Sequence, residues 1–351
     1  MTQMSIETYL DSLPEDTEEI DVSRKGLTYL PDLTRFKNLK ILNCSYNHLF
    51  SLPPLETLQE LYCFRNQLTS LPELKNLNFL SCYNNQLTSL PELKNLKRLD
   101  CNNNQLTSLQ LNEQLIILHC SHNKLISLSP LKNLKELYCY SNQLTSLHPL
   151  EQLQKLNCSY NKLISLPPLE NLKELYCNFN QLTSLPPLEQ LQKLNCSYNK
   201  LISLPPLENL KELYCNSNQL TSLPPLEQLQ KLYCNINLLT SLPPLKNLHL
   251  LFCGNNKLTS LPPLENVEFL YYNDNPIYEI INTNDIQIIN QKLRVLNQFR
   301  YLYYSLKFKK RFRDWLWVKI REPKIREKYS HDYLVKNLNE DTDLDELLDN
   351  W

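Results

Sequence analysis

Among 351 residues the chain has only two glycines, Gly26 and Gly254, and no alanine at all. Without glycine-rich turns it cannot build a phosphate cradle of the Walker or dinucleotide type, so nucleotide-driven chemistry loses its usual signature. No apolar run approaches the length of a membrane span. Met1 to Ile20 also lacks the basic start and apolar stretch of a secretory leader, so a protein of the cytoplasm is the expectation. A formal net charge of -1 gives no global attraction to polyanions, and any electrostatic partner must be met locally. The shortage of Gly and Ala beside abundant Asn, Lys, Ile and Tyr points to an AT-rich genome.

What the chain does have is a strict period. All twelve cysteines, from Cys44 to Cys253, lie 19 residues apart. Aligned on them, the sequence reads LxxLxCxxNxLxxLPxLxxL, as in Leu153, Leu156, Cys158, Asn161, Leu163, Leu166, Pro167, Leu169 and Leu172. Alternation along a strand turns Leu156 and Cys158 inward and Lys155, Asn157 and Ser159 outward. The asparagine column, Asn47 through Asn275, turns the chain out of the strand, its amide bonding backbone of its own and the neighbouring turn. The LPxL or LPPL segment after it is extended, since proline removes donors and biases its predecessor away from helix. A lone rung buries too little to offset the entropy of ordering it, so rungs must stack.

This pattern, over roughly Val22 to Asn275, resembles the leucine-rich repeat family. The resemblance implies a solenoid of about fourteen rungs, with a parallel sheet on the concave face and an extended, polyproline-like or 3-10 convex side. Residues 1–43 read as an N-terminal cap and atypical first repeat, because Lys25 stands where asparagine is due; residues 44–275 are the regular repeats and 276–351 a C-terminal helical domain. Leu150 to Pro187 and Leu188 to Pro225 are identical except for Phe179 against Ser217, a duplication that lengthens a rod without disturbing it.

No cofactor or metal is expected. Cysteines in a parallel ladder stand about 4.8 Å apart with parallel side-chain directions, which suits neither a disulfide nor a tetrahedral zinc cage. They read as reduced, buried, small hydrophobes. His119 and His122 flank Cys120, but the cysteine points inward and the histidines do not. Asn43, Asn157 and Asn195 begin Asn-Cys-Ser sequons that are accidents of the repeat in a cytoplasmic chain. Some effectors with LPxL repeats carry a ubiquitin-ligase domain with a cysteine nucleophile, yet no cysteine comes after Cys253. With no Ser, His and Asp grouping at motif spacing either, the chain does not read as an enzyme.

The outward columns carry the functional signal. One alternates in sign through Glu136, Lys155, Glu174, Lys193, Glu212 and Lys231, which is a self-neutralising ladder. The next carries Tyr138, Tyr176, Tyr214 and Tyr233, joined one or two positions later by Tyr140, Tyr160, Phe179 and Tyr198. These eight are expected on the concave face, mixed with Asn and Ser as in protein-recognising surfaces. The expectation is a non-catalytic, monomeric, protein-binding scaffold.

After Asn275-Pro276 the composition changes. A helix capped by Asn284 is expected to carry Ile286, Ile289, Leu293, Leu296 and Phe299 at helical spacing and to end or kink at Pro323. Two short helices capped by Ser330 and Thr342 come next, the set covering the last rung's open edge. Lys292 to Lys328 holds thirteen Lys or Arg against three acids, and the remainder seven acids against Lys336. The expectation is that these two pieces neutralise one another. The alternative is a nucleic-acid or anionic-surface site at Lys307, Lys309, Lys310, Arg311 and Arg313, with Phe308, Phe312 and Trp315 interleaved. The cysteine-bearing rungs together with the ending, including Tyr333, Leu338, Leu344 and Trp351, resemble the leucine-rich repeat proteins of mimivirus-like giant viruses. That resemblance implies a protein of the infected host's cytoplasm and brings no catalytic residue with it.

Overall fold

The computed structural model describes residues 5–324 apart from Asn284. The chain divides into two units, residues 1–290 and residues 291–351. In the first, fourteen strands run from β1 (Glu19–Asp21) and β2 (Ile41–Asn43) to β14 (Phe269–Tyr271). They form one parallel sheet in strict sequence order, each rung pairing only with its neighbours.

Each strand is three residues long, and its middle residue is a leucine or isoleucine, buried in every strand except β14. The in-register partners Leu156↔Leu175 and Leu175↔Leu194 show how one inward column runs the length of the sheet. The cysteine comes directly after the strand, and all twelve are unpaired and fully buried. Between strands the backbone is extended apart from the left-handed turn at the asparagine and one tight turn further on, such as Leu172 N–H to Leu169 C=O at 3.2 Å. Proline and a period of 19 residues leave no room for a helix there.

The asparagine column does what its chemistry predicts. The Asn180 amide nitrogen donates to Cys158 C=O (3.0 Å), Cys177 C=O (3.2 Å) and Asn178 C=O (3.4 Å), while its oxygen accepts from Leu163 N–H at 3.0 Å. One side chain thereby closes its own turn and ties it to the preceding rung.

Sequence reading missed a second amide ladder on the opposite side of the rung. Asn76, Asn95, Asn133, Asn171, Asn209, Asn247 and Asn266 each donate to a backbone carbonyl one rung back, at 2.9 to 3.0 Å. Their signal was the Asn-Leu or Asn-Val pair that precedes the strand in those rungs.

Both ends of the sheet are covered. At the start, α1 (Ile6–Asp11) is capped by Ser5, which accepts from Thr8 N–H, and buries Ile6 and Leu10. Strand alternation gave no hint of this helix. At the far end Tyr272 replaces the cysteine, lies fully buried, and donates from its hydroxyl to Thr283 C=O at 2.6 Å. A larger inward side chain is accommodated where no further rung is stacked. The cover there is α2 (Pro276–Ile281), with proline in its first turn and Ile277 and Ile281 buried, joined by Ile289 of α3 (Ile286–Leu316). These residues belong to the repeat unit, so the division lies beyond the composition change at Pro276.

Helix α3 is capped by Asp285, which accepts from Gln287 and Ile288 N–H; Asn284, the expected cap, lies outside the described residues. Ahead of Pro323 the described part of the helix becomes irregular. A π-helical turn, Trp317–Arg321, carries it on to Lys324. The wide turn absorbs the donor that proline lacks and the room its ring needs. The expected helices capped by Ser330 and Thr342 lie outside the described residues.

Replacing Asn180 with Ala leaves Leu163 N–H without its acceptor, while Cys158, Cys177 and Asn178 C=O each keep one donor, the Asn161 amide, the Asn199 amide and Tyr160 N–H in turn, which should cost about 1 to 3 kcal/mol. Urea denaturation would show a lower midpoint, and an unchanged midpoint would mean that water replaces the amide. Cys177→Asp forces a carboxylate into the apolar column, and is expected to yield no folded protein by circular dichroism.

Candidate functional site

The eight aromatics expected on one face fall on three different columns. Tyr138, Tyr176, Tyr214 and Tyr233 occupy the last residue of their strands, half exposed on the sheet face. Tyr140 sits immediately after a cysteine. Tyr160, Phe179 and Tyr198 lie one residue further, in the turn, where the backbone is left-handed with φ of 53°, 54° and 55°. The strand ends before the cysteine, so alternation stops there and cannot assign a face to the residues beyond it. For the same reason Ser159, expected outward, is buried, donating from its hydroxyl to Asn178 Oδ1 at 2.6 Å.

In-register stacking turns neighbouring aromatics into ring ladders. On the sheet face Tyr214, Tyr233, Phe252 and Tyr271 stack with centroids 4.6, 4.9 and 6.1 Å apart. Tyr138 and Tyr176 are set apart by Asn157, and Tyr176 and Tyr214 by Asn195. Tyr138 meets His119 edge to face at 4.7 Å, and Tyr140 meets His122 likewise at 4.8 Å.

Gly254, which sequence reading connected only with an absence, makes room for the end of the sheet-face ladder. A Cβ there would clash with the Tyr271 ring. Burial, reinforced by Glu136 and Glu212, holds the Tyr138 and Tyr214 phenols above their ordinary range, so they are neutral hydrogen-bonding groups.

The sign-alternating column is also real. Lys155 pairs with Glu136 at 3.8 Å and Lys231 with Glu212 at 3.2 Å. Exposed pairs of this kind add little stability, and their effect is to leave the sheet face without strong net charge. Further along, Asp100 faces the same way. Burial raises its carboxyl above the ordinary range, against the Asn102 N–H and His119, which lower it. In the adjoining rung His119 Nε2 and Ser121 Oγ are buried without partners.

Desolvation also pushes every thiol of the ladder up, Cys158 to about 12, so none is a nucleophile at neutral pH. Among the described residues no group of three or more His, Cys, Asp or Glu is placed to hold a metal ion. No helix among them is long and apolar enough to cross a membrane. On the second unit Lys307, Lys309, Lys310, Arg311 and Arg313 are exposed along α3, with Lys307 Nζ 5.5 Å from the Tyr303 ring centroid.

A family model for leucine-rich repeats in two copies matches residues 56–95, 75–113, 113–152, 151–190 and 189–228. A leucine-rich repeat protein of Leptospira interrogans is 35% identical, with a TM-score of 0.64, over 73% of this chain and 80% of that one. The chain belongs to the leucine-rich repeat family. YopM from Yersinia enterocolitica is 32% identical, with a TM-score of 0.65, over 76% of this chain and 66% of its own. The functional domain of InlJ from Listeria monocytogenes, described as including a cysteine ladder, is 27% identical with a TM-score of 0.59, over 74% of this chain and 64% of that one. No curated protein matches the chain. Leucine-rich repeat solenoids are binding scaffolds whose extended face meets a partner.

Because asparagine occupies the Asp100 position in other rungs, Asp100→Asn preserves the turn. The folded-state pKa of Asp100 is raised, so the ionised form costs stability as pH rises through it. Asp100→Asn should therefore raise the melting temperature most at neutral pH, with the gain shrinking as pH falls towards 4. A gain independent of pH would show that the charge is not its cause.

Proposed function

We propose that this leucine-rich repeat protein is a non-catalytic, monomeric scaffold that grips a partner protein on the concave sheet face through Tyr138, Tyr176, Tyr214 and Tyr233. The carrying observation is the ladder from Tyr214 to Tyr271, a row of four stacked rings that the leucine and cysteine core does not need. Rigid aromatic rings held in place before binding lose little entropy on association, and such residues dominate interface energetics. The surrounding Asn side chains and neutral phenols add hydrogen bonding without strong net charge.

The resemblance of the rungs and the tail to giant-virus proteins supports a viral source and residence in the host cytoplasm. The buried, reduced cysteines fit a reducing compartment. A second reading, binding of nucleic acid or an anionic surface through α3, is favoured by the exposed row Lys307, Lys309, Lys310, Arg311 and Arg313. Salt separates the two, since phosphate contacts release counterions.

Tyr176→Asn/Tyr214→Asn/Tyr233→Asn places in the sheet-face column a residue that other rungs already carry there. Affinity purification from infected cells should recover much less of the main partner with this variant, at a melting temperature close to that of the parent. Full recovery would remove the sheet face from the interface. Binding of the parent chain to single-stranded oligonucleotide that holds at physiological salt, weakens as salt is raised further and is lost in Lys309→Glu/Lys310→Glu/Arg311→Glu would favour α3 instead.

A further inference from the structure

The turn edge of the solenoid, where Tyr160, Phe179 and Tyr198 lie, differs from the sheet face in charge as well as position. From each of the twelve cysteines through the ninth residue after it there is no Asp or Glu, whereas Arg65, Lys124, Lys162, Lys200 and Lys257 fall inside these windows. Lys124, Lys162 and Lys200 are exposed, and none of the three pairs with a described carboxylate. The chain's acids between the first and last cysteines are all on other parts of the rung.

The basic residues come with apolar ones in a repeated unit. His122 to Ile126 reads HNKLI, and Tyr160 to Ile164 and Tyr198 to Ile202 both read YNKLI, at intervals of two rungs. Ile126, Ile164 and Ile202 are exposed by 63%, 63% and 61%. Between the two tyrosines Phe179 completes a stack, with centroids 4.3 and 4.2 Å apart and ring planes within 15° and 9°. The lone difference between the duplicated units, Phe179 against Ser217, is what joins the two tyrosines into one continuous strip.

A stack of this kind presents ring edges outward. Both faces of Phe179 are covered, so a nucleobase has no platform there. Ring edges carry the positive side of the aromatic quadrupole, and with the lysines beside them they favour carboxylates. Two rungs advance about 10 Å, which is roughly three residues of extended chain at 3.3 Å each.

We propose that this edge docks an acidic segment of a partner protein in extended form, its carboxylates meeting Lys124, Lys162 and Lys200 and its apolar side chains meeting Ile164, Ile202 and the ring edges. The site is separate from the concave sheet-face surface, and the two can fail independently.

The repeat supplies its own controls. Other rungs carry glutamine in the lysine column and asparagine in the ring column, including Asn84, Asn103 and Asn255 at the same positive φ. Lys124→Gln/Lys162→Gln/Lys200→Gln and Tyr160→Asn/Phe179→Asn/Tyr198→Asn are therefore compatible with the fold, which circular dichroism and melting would verify. The probe is a synthetic peptide of repeated Glu-Ile-Ser, set against a peptide of the same composition with its acids clustered at one end, and against oligo-dT, all titrated into the full chain.

The repeating peptide should bind in a salt-sensitive manner, more tightly than the clustered one, and each variant should weaken it by about tenfold. The sheet-face variant Tyr176→Asn/Tyr214→Asn/Tyr233→Asn should leave it unchanged. Equal affinity in the lysine variant, no preference between the peptides, loss in the sheet-face variant, or tighter binding of oligo-dT that the lysine variant weakens would each overturn the proposal.

Discussion

A parallel rung that turns out of its strand leaves carbonyls and N–H groups that no ladder can reach, and burying them unpaired would be prohibitive. The asparagine amide resolves this at every rung. Its nitrogen gathers carbonyls from its own turn and the preceding one, and its oxygen takes an N–H of the preceding rung, as Asn180 does with Cys158, Cys177, Asn178 and Leu163. Because the bond crosses between rungs, it fixes their register as well as closing the turn. A slip by one residue would move the leucines out of the core and break the amide ladder together.

Fixed register turns sequence columns into physical ones. Leucine and cysteine form the dry interior, and a second amide ladder such as Asn171 to Glu151 C=O ties the opposite side. Tyrosine and phenylalanine rings in one column of successive rungs, such as Tyr160, Phe179 and Tyr198, stack, since the sheet spacing lets rings lie face to face. The same constraint holds bulky residues in left-handed turns. Tyr160, Phe179 and even β-branched Ile236 take positive φ there, at a local cost that the surrounding bonds overcome.

Stacking creates open ends, and the chain closes them with different devices. At the start a short capped helix lays Ile6 and Leu10 over the first rung. At the other end Tyr272 replaces cysteine, α2 supplies two isoleucines, and Asn275 completes the last amide ladder instead of capping α2. The interior of the rod can then be lengthened by duplication, and one substitution between copies, Phe179 for Ser217, changes the surface without touching the core.

The sequence by itself determined the solenoid, the inward Leu and Cys columns and the asparagine ladder, because a period of 19 residues leaves one way to bury the same positions in every rung. It also showed which residues were too aromatic for their outward positions. Which surface those aromatics occupy was decided only by tertiary structure. A two-residue alternation is valid within a strand, and these strands stop one residue before the cysteine, so Tyr160, Phe179 and Tyr198 lie in the turn and form a ladder of their own. The capping helix α1, the role of Gly254 beside Tyr271 and the opposite-side amide ladder were likewise invisible. Each depends on contacts between residues whose nearness comes from stacking, and a periodic pattern records what each rung must bury rather than what its neighbours bring to its edges.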